Sequence, residues 1–564
     1  MNNCQKCKQN FEITDDDKVF YQKMGVPEPT FCPRCRMVRR MANTNERVLY
    51  KRTCDLTGKN IISMFPPGTT FPVYEVDSWY GDDWDPSEYG MDYDFSKPFF
   101  EQFLELQNKV PRMSLVRQGY SINSEYCHRV NDPKNSYMVF RFTKPEDSMY
   151  LYAGADAKDC MDSSFIWKSE LCYDSVDVTN CYRVLYGQEL TDCRDSYFIY
   201  GCHNVSNCVL SVNLRNCEYC IWNEQYGKEE YFEKLKELGF DKHENVERFR
   251  GEFDQFRKKF PQRAVTSLKI NDCSGNWLNN CEKVFESYGC SNVKDGKYLF
   301  IIFNAEECMD FFQWGNKAEL VYESENCGIN VRNLFSCSQC WMGAHDLMYS
   351  DSCPGASNCF GCIGLKKGEY SILNKRYEKE EYFEMIEKIK KHMVEMPYFD
   401  NDGTVYKFGE HFPNSISPFA FNETAAVDFF DIKKDEAQAK GFVWKDKEKV
   451  EYPVSKKWSD LPETISEVVD DITKEIISCE KSDLPYSPGA FKITPDELNF
   501  YRKLGIPLPR KSFPVRYMER LLRRPNIETI DRLCSKCSKD VKTVYTESYS
   551  PILYCESCYQ EEVL

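Results

Sequence analysis

The stretch DCMDSSFIWKSELCYDSVDVTNCYRVLYGQELTDCRDSYFIYGCH, residues 159–203, decides the fold of the middle of this chain. Short apolar and aromatic runs alternate there with turns opened by an Asp or Asn followed by Ser, as at Asp162-Ser163 and Asp195-Ser196, and the texture begins earlier, at Asn135-Ser136 and Asp147-Ser148. Cys160, Cys181 and Cys202 stand 21 residues apart, as do Cys172 and Cys193. A fixed period of about 20 residues with two or more short strands per repeat predicts a parallel β-solenoid. One turn of such a coil has little core of its own, so turns must stack. Cysteine in an inward ladder then behaves as a compact hydrophobe.

The repeat region is itself duplicated. Asn207-Cys208 and the run Tyr226 to Glu233 match Asn358-Cys359 and Tyr377 to Glu384 at an offset of 151, and Asp159-Cys160-Met161-Asp162 matches Glu307-Cys308-Met309-Asp310 at 148. Each half ends in charged helical sequence: 228–239 and 244–259 in the first, 378–395 in the second. Such helices predict caps over open strand edges. The connector 397–480 carries a turn at Asn401-Asp402-Gly403 and a helix over 433–440. An amphipathic helix is predicted over 463–478, with Ile465, Val468, Val469, Ile472, Ile476 and Ile477 on one stripe.

Outside the repeats, residues 11–79 align with 491–559 without a gap at an offset of 480. Phe20-Tyr21, Gly25, Arg36, Arg40 and Cys54 meet Phe500-Tyr501, Gly505, Arg516, Arg520 and Cys534. Each copy has room for two four-cysteine sites and keeps a different one. The first keeps Cys4, Cys7, Cys32 and Cys35; its trailing site retains Cys54, with Thr57, Glu75 and Ser78 beside it. The second has Leu484, Ser487, Ser512 and Val515 at the leading positions and a complete trailing set, Cys534, Cys537, Cys555 and Cys558. Paired CxxC knuckles at these spacings predict tetrahedral structural zinc, since four thiolates leave no open position for catalysis. Two zinc ions are expected. The pairs Cys337/Cys340 and Cys359/Cys362 leave a third open, against the alternative that period-driven cysteines generate such pairs by chance. Cys217/Cys220 is a further CxxC pair, and Cys479, before Leu484, is read as a remnant of the lost leading site.

Pro33-Arg34 inside the second knuckle, followed by helix-forming residues to Ala42, looks like a treble clef. The run CQKCKQNFEI…FYQKMGVPEPTFCPRCR resembles the bacterial "probable zinc-ribbon" family, in which CxxC and CxxCR flank a Phe-Tyr and Gly-Phe/Val-x-x-Pro core. The whole chain resembles uncharacterised multi-cysteine zinc-binding proteins of uncultured bacterial lineages, a likeness that implies no particular activity. The expected architecture is mainly β with α. A zinc-ribbon module (1–79), an acidic-aromatic connector (80–119), two cysteine-rich solenoid halves (120–262 and 263–396), a second connector (397–480) and a second module (481–564) follow one another.

With 564 residues the chain has ample capacity for cores, and its 29 cysteines with a polar, ligand-bearing start fit a reducing, cytoplasmic setting without a leader or a membrane span. The net charge of −16 argues against a protein that coats nucleic acid, though not against local basic patches. Such patches are predicted on the module helices: Arg34, Arg36, Arg39 and Arg40, then Arg516, Arg520, Arg523 and Arg524, spaced to reach phosphates. The competing reading is that these arginines balance the thiolate sites or the acidic stretch 75–105, for which no calcium order is found. No catalytic residue is assigned. Cys127-His128 and Cys202-His203 are read as structural, and Asp162, Asp174, Asp177 and Asp195 as turn residues. The predicted function is a non-catalytic zinc-binding scaffold for a protein or nucleic-acid partner. The alternatives are a β-helix lyase or hydrolase acting on carbohydrate, and a purely structural interaction protein.

Overall fold

The computed structural model describes residues 1–563 apart from 311, 313–314, 316–317, 319–320, 325–334, 337–342 and 447–449. The chain is mixed α and β, with many parallel strands between two similar end modules. The gap-free alignment of the ends becomes the same local structure twice. In each, a threonine caps a ten-residue helix through a capping box and a left-handed glycine closes it: Thr14, Asp15–Met24 and Gly25, then Thr494, Pro495–Leu504 and Gly505. A second helix carries a proline at its first position (Pro33–Met41) or its second (Phe513–Leu522), and an antiparallel hairpin follows, Tyr50–Thr53 with Asn60–Ser63 and Ile530–Leu533 with Asp540–Thr543.

Between the modules, Phe140–Glu146, Tyr152–Lys158 and Ser164–Glu170 pair in parallel, each strand displaced 12 residues from the last: Phe140, Tyr152 and Ser164 are neighbours. The same displacement relates Ser291–Lys297 to Phe303–Met309, and Ser357–Phe360 to Glu369–Ile372. Strands Ser164–Glu170, Val176–Thr179, Gln188–Thr191, Arg194–Tyr200 and Tyr182–Leu185 close a ring of parallel pairings.

The structural period is therefore 12 residues, not the 21 of the cysteine spacing. Its cause is a backbone that turns at every third residue. Asp156, Asp159, Asp162, Phe165, Lys168, Leu171 and Asp174 all have φ between 47° and 57°. Asp and Asn tolerate that left-handed conformation better than other L-residues, which explains their recurrence. The residue after each turn points inward: Ala157, Cys160, Ser163, Ile166, Ser169, Cys172 and Ser175 are all buried. A 21-residue step is one 12-residue advance plus nine, so Cys160 and Cys181 lie on different sides, while Cys172 sits directly beyond Cys160.

The narrow interior selects small side chains. A Cβ on Gly154 would stand 2.0 Å from the Ile166 carbonyl oxygen. Inward serines and cysteines also accept backbone N–H groups from the residue 12 further on: Ser148 Oγ from Cys160 (3.1 Å), Ser163 Oγ from Ser175 (3.2 Å), Cys160 Sγ from Cys172 (3.4 Å). Buried amides that strand pairing leaves over thus find partners. Cysteine is polar contact as well as filler here, beyond the compact hydrophobe expected of it.

The charged helices form at Lys228–Leu238, His243–Arg257 and Lys379–Glu395, and Lys434–Ala439 forms in the connector. The helix expected over 463–478 does not. Short 3-10 turns at Ile465–Glu467 and Asp470–Lys474 lead into a strand at Ile477–Ser478, and Val469, expected on the buried stripe, is exposed. β-Branched residues throughout that segment lose χ1 freedom in a helix, and docking Ile465, Val468 and Ile472 into the second module's core favours the looser path.

Candidate metal centres and arginine seats

The eight predicted ligands gather into two clusters, Cys4/Cys7/Cys32/Cys35 and Cys534/Cys537/Cys555/Cys558, with all four sulfurs of each within 4.8 Å of one another. A tetrahedral ion with metal–sulfur bonds of about 2.3 Å sets its sulfurs about 3.8 Å apart. Cys7 and Cys32 Sγ lie 3.7 Å apart and Cys537 and Cys555 Sγ 3.6 Å, so each set can hold a metal ion and is compatible with zinc. Helix starts place the second knuckles, and backbone N–H groups point at the sulfurs: Cys32 N–H donates to Cys4 Sγ and Cys555 N–H to Cys534 Sγ, each at 3.3 Å. Hydrogen bonding from Cys32 holds Cys4 low. Burial pushes the Cys534 thiol up, but the amides of Cys537, Cys555 and Lys536 outweigh it and bring it down to about 6. Thiolates are what a metal needs.

The lost sites keep their first sulfur. Cys54 Sγ accepts the N–H of Glu75, the residue aligned with Cys555, at 3.3 Å. Cys479 Sγ accepts the N–H of Ser512, aligned with Cys32, at 3.3 Å. Cys479 N–H donates to the Gly489 carbonyl as Cys4 N–H does to Gln9. Cys479, not Leu484, is thus the counterpart of Cys4, and the second copy has a longer hairpin loop after it.

A third cluster joins Cys208, Cys217 and Cys220 within 4.8 Å, and can also hold a metal ion. All three are inward positions of the repeat, nine and 12 residues from Cys208, and the parallel pairing sets Cys208 beside Cys220. Of the set Cys337/Cys340/Cys359/Cys362, Cys359 and Cys362 are fully buried in the second half, and Cys337 and Cys340 lie outside the described residues.

The predicted phosphate-contacting arginines are placed otherwise than expected. Arg36, Arg39, Arg40 and Arg520 are fully buried. Arg36 donates to Asp310, with Arg40 3.6 Å from the same carboxylate; Arg39 meets Glu323 at 2.7 Å and Glu410 at 3.4 Å. In the second module, Arg516 and Arg520 reach Asp162 at 2.8 and 2.9 Å, Arg523 reaches Asp174 at 2.5 Å, and Arg524 reaches Asp177 at 2.9 Å. Only Arg34, paired with Glu528 at 2.5 Å, is half exposed. Apart from Arg34, these guanidinium groups meet carboxylates of the strand region, Arg39 meeting Glu410 of the connector as well, and among the described residues none of these partners belongs to the acidic stretch 75–105.

The seats repeat with the duplication. Asp162 and Asp310 are counterparts, as are Arg516/Arg520 and Arg36/Arg40, yet the pairing crosses: the first module grips the second half and the second module the first. Tyr298 faces Arg36 as its counterpart Tyr150 faces Arg516. Each module also pairs a strand with the lead-in to the other half, Val73–Tyr74 with Arg112–Met113 and Leu553–Tyr554 with Gln262–Arg263. The duplicated sequence held this signal, because each aligned arginine pair had one aligned aspartate to meet.

Of the remaining candidates, Cys127, His128 and Cys202 are buried. Cys127 donates to the Ser136 carbonyl at 3.2 Å and burial pushes its thiol up to about 12, while His128 Nε2 lies 3.0 Å from the Asn45 carbonyl. Burial and Arg215 bring His203 down to about 4. Among the described residues no helix is long and apolar enough to cross a membrane. No family model matches the chain, and no curated protein matches it.

Proposed function

We propose that this protein is a non-catalytic, zinc-stapled scaffold of the cytoplasm whose partner is a protein. Two zinc-ribbon modules of treble-clef type clamp a β-solenoid built as two duplicated halves, in line with the family resemblance of residues 4–36. The observation that carries this reading is the gathering of the sulfurs in the two complete cysteine sets, together with the crossed arginine seats. Four thiolates leave no position for substrate, and arginines already engaged by buried carboxylates are withdrawn from phosphate. Protein binding is therefore favoured over nucleic acid. Elemental analysis of the purified chain should give two zinc ions, and a strong chelator should lower its melting temperature. A metal-free chain with unchanged melting would refute zinc as the staple. A third equivalent lost on Cys217→Ser would assign the Cys208/Cys217/Cys220 cluster.

A further inference from the structure

Between the first half of the strand region, the helix His243–Arg257 and the second module lies a cleft of about 630 Å³. Nine arginine and lysine side chains line it against five aspartates and glutamates, in a chain whose net charge is −16. Three arginines converge on one carboxylate. Arg250 lies 2.8 Å from Asp174, Arg523 2.5 Å and Arg520 4.0 Å. Arg520 is 1% exposed, and its Nε and Nη2 find no hydrogen-bond partner among the described residues. Arg250 and Arg523 remain partly open to solvent.

The other half of the duplication shows what fills such a space. Glu323, the counterpart of Asp174, receives Arg39, and beside them the segment 406–412 runs through the equivalent region. Its Glu410 accepts from Thr30 N–H at 2.8 Å and from Arg39 at 3.4 Å, and Gly409 N–H donates to the Tyr349 hydroxyl at 3.1 Å. The rings of Phe408 and Phe412 lie 5.5 Å from Phe335 and 5.9 Å from Tyr349. Thr30, Glu323 and Tyr349 align with Arg510, Asp174 and Phe198, all three of which line the cleft. There the helix fills part of the space with Phe253 against Phe198, but it brings the cation Arg250 to the carboxylate rather than an anion. Arg510, Arg523 and Arg524 replace Thr30, Asn43 and Thr44 of the first copy while Glu519 replaces Arg39, so the cations on this side stand at different positions.

We propose that this cleft binds an acidic segment of a partner protein, in which a glutamate or aspartate is flanked by aromatic side chains. The incoming carboxylate meets Arg250 and Arg523 with Arg520 behind them, and a flanking ring rests against Leu522, an exposed apolar side chain of the lining. This goes beyond the scaffold reading and does not depend on which metal the cysteines hold. The test uses the full chain as purified and a fluorescent peptide with the sequence of residues 405–413, VYKFGEHFP, followed by anisotropy. Saturable binding is expected, weakened at least about tenfold when the peptide glutamate is replaced by glutamine and by Arg523→Gln or Arg250→Gln in the protein. Absence of saturable binding overturns the proposal, and so does equal affinity for the glutamine peptide, a comparison that needs no protein variant. Release of the peptide by a mononucleotide at lower concentration than by unlabelled peptide would assign the cleft to phosphate and overturn it equally.

Discussion

Asp162 is the residue on which the second module turns. It is fully buried, and Arg516 and Arg520 converge on it at 2.8 and 2.9 Å. Removing one member of a buried ionic group strands the others without water, at a cost of about 3–5 kcal/mol. Asp162→Ala should therefore lower the stability of the full chain by about that much in denaturant melts, and Asp162→Leu combined with Arg520→Met by less. A second residue sets a pH dependence. Burial lifts the Glu497 carboxyl to about 7, only partly opposed by Arg516. Because the folded value is raised, the contribution of Glu497 is fully present below its unfolded value of about 4.3 and is lost as pH rises through the folded value. Glu497→Gln keeps a side-chain oxygen for the capping contact with the Thr494 N–H. Its advantage over the parent in melts should grow as pH rises toward neutral and then level off; a constant difference would contradict the assignment.

At the scale of the element, the three-residue turn governs everything between the modules. Outward asparagines form ladders along it: Asn280 donates to Asn292 and Asn292 to Asn304, each at 2.8 Å. Asn292 has φ of 56°, where a β-branched side chain crowds the backbone. Asn292→Ile should cost about 2 kcal/mol, by backbone conformation and lost hydrogen bonds together, and Asn292→Gly less, measured by urea melts. The rule was written in the sequence, since inward residues follow left-handed ones at every third position. The cysteine spacing of 21 concealed it, because cysteines occupy several inward positions of each 12-residue repeat and stand 21 apart as often as 12. The loss of the helix at 463–478 has a different cause. Part of its apolar stripe, Ile465, Val468, Ile472 and Ile477, is buried with the second module's core without forming a helix, while Val469 is left exposed.

Across the whole molecule, each module bridges both halves, docking its arginine helix on one and pairing a strand with the lead-in to the other. The modules also touch one another: Arg34 meets Glu528, and Arg47 lies 4.3 Å from the Tyr517 ring. Removing residues 479–564 should accordingly raise amide exchange most around Asp162, Asp174 and Ala264, with a smaller rise in the helix Pro33–Met41. Exchange confined to the cut end would show that the contacts carry no stability. The docking pairs are buried, so melting of the full chain should vary little with salt, in contrast to a surface held by exposed charges.

The sequence by itself determined the eight cysteines of the two clusters, the duplication of the ends and of the middle, and the helices that follow each half. These are local patterns, set by spacing along the chain and by residue type. Only the tertiary structure decided which carboxylate each arginine meets, that Cys479 stands where Cys4 does, and that Cys359 and Cys362 belong to a core. Those outcomes depend on which segments lie side by side after folding. A buried guanidinium is drawn to whichever aspartate arrives beside it out of water, and linear order names the candidates without choosing between them.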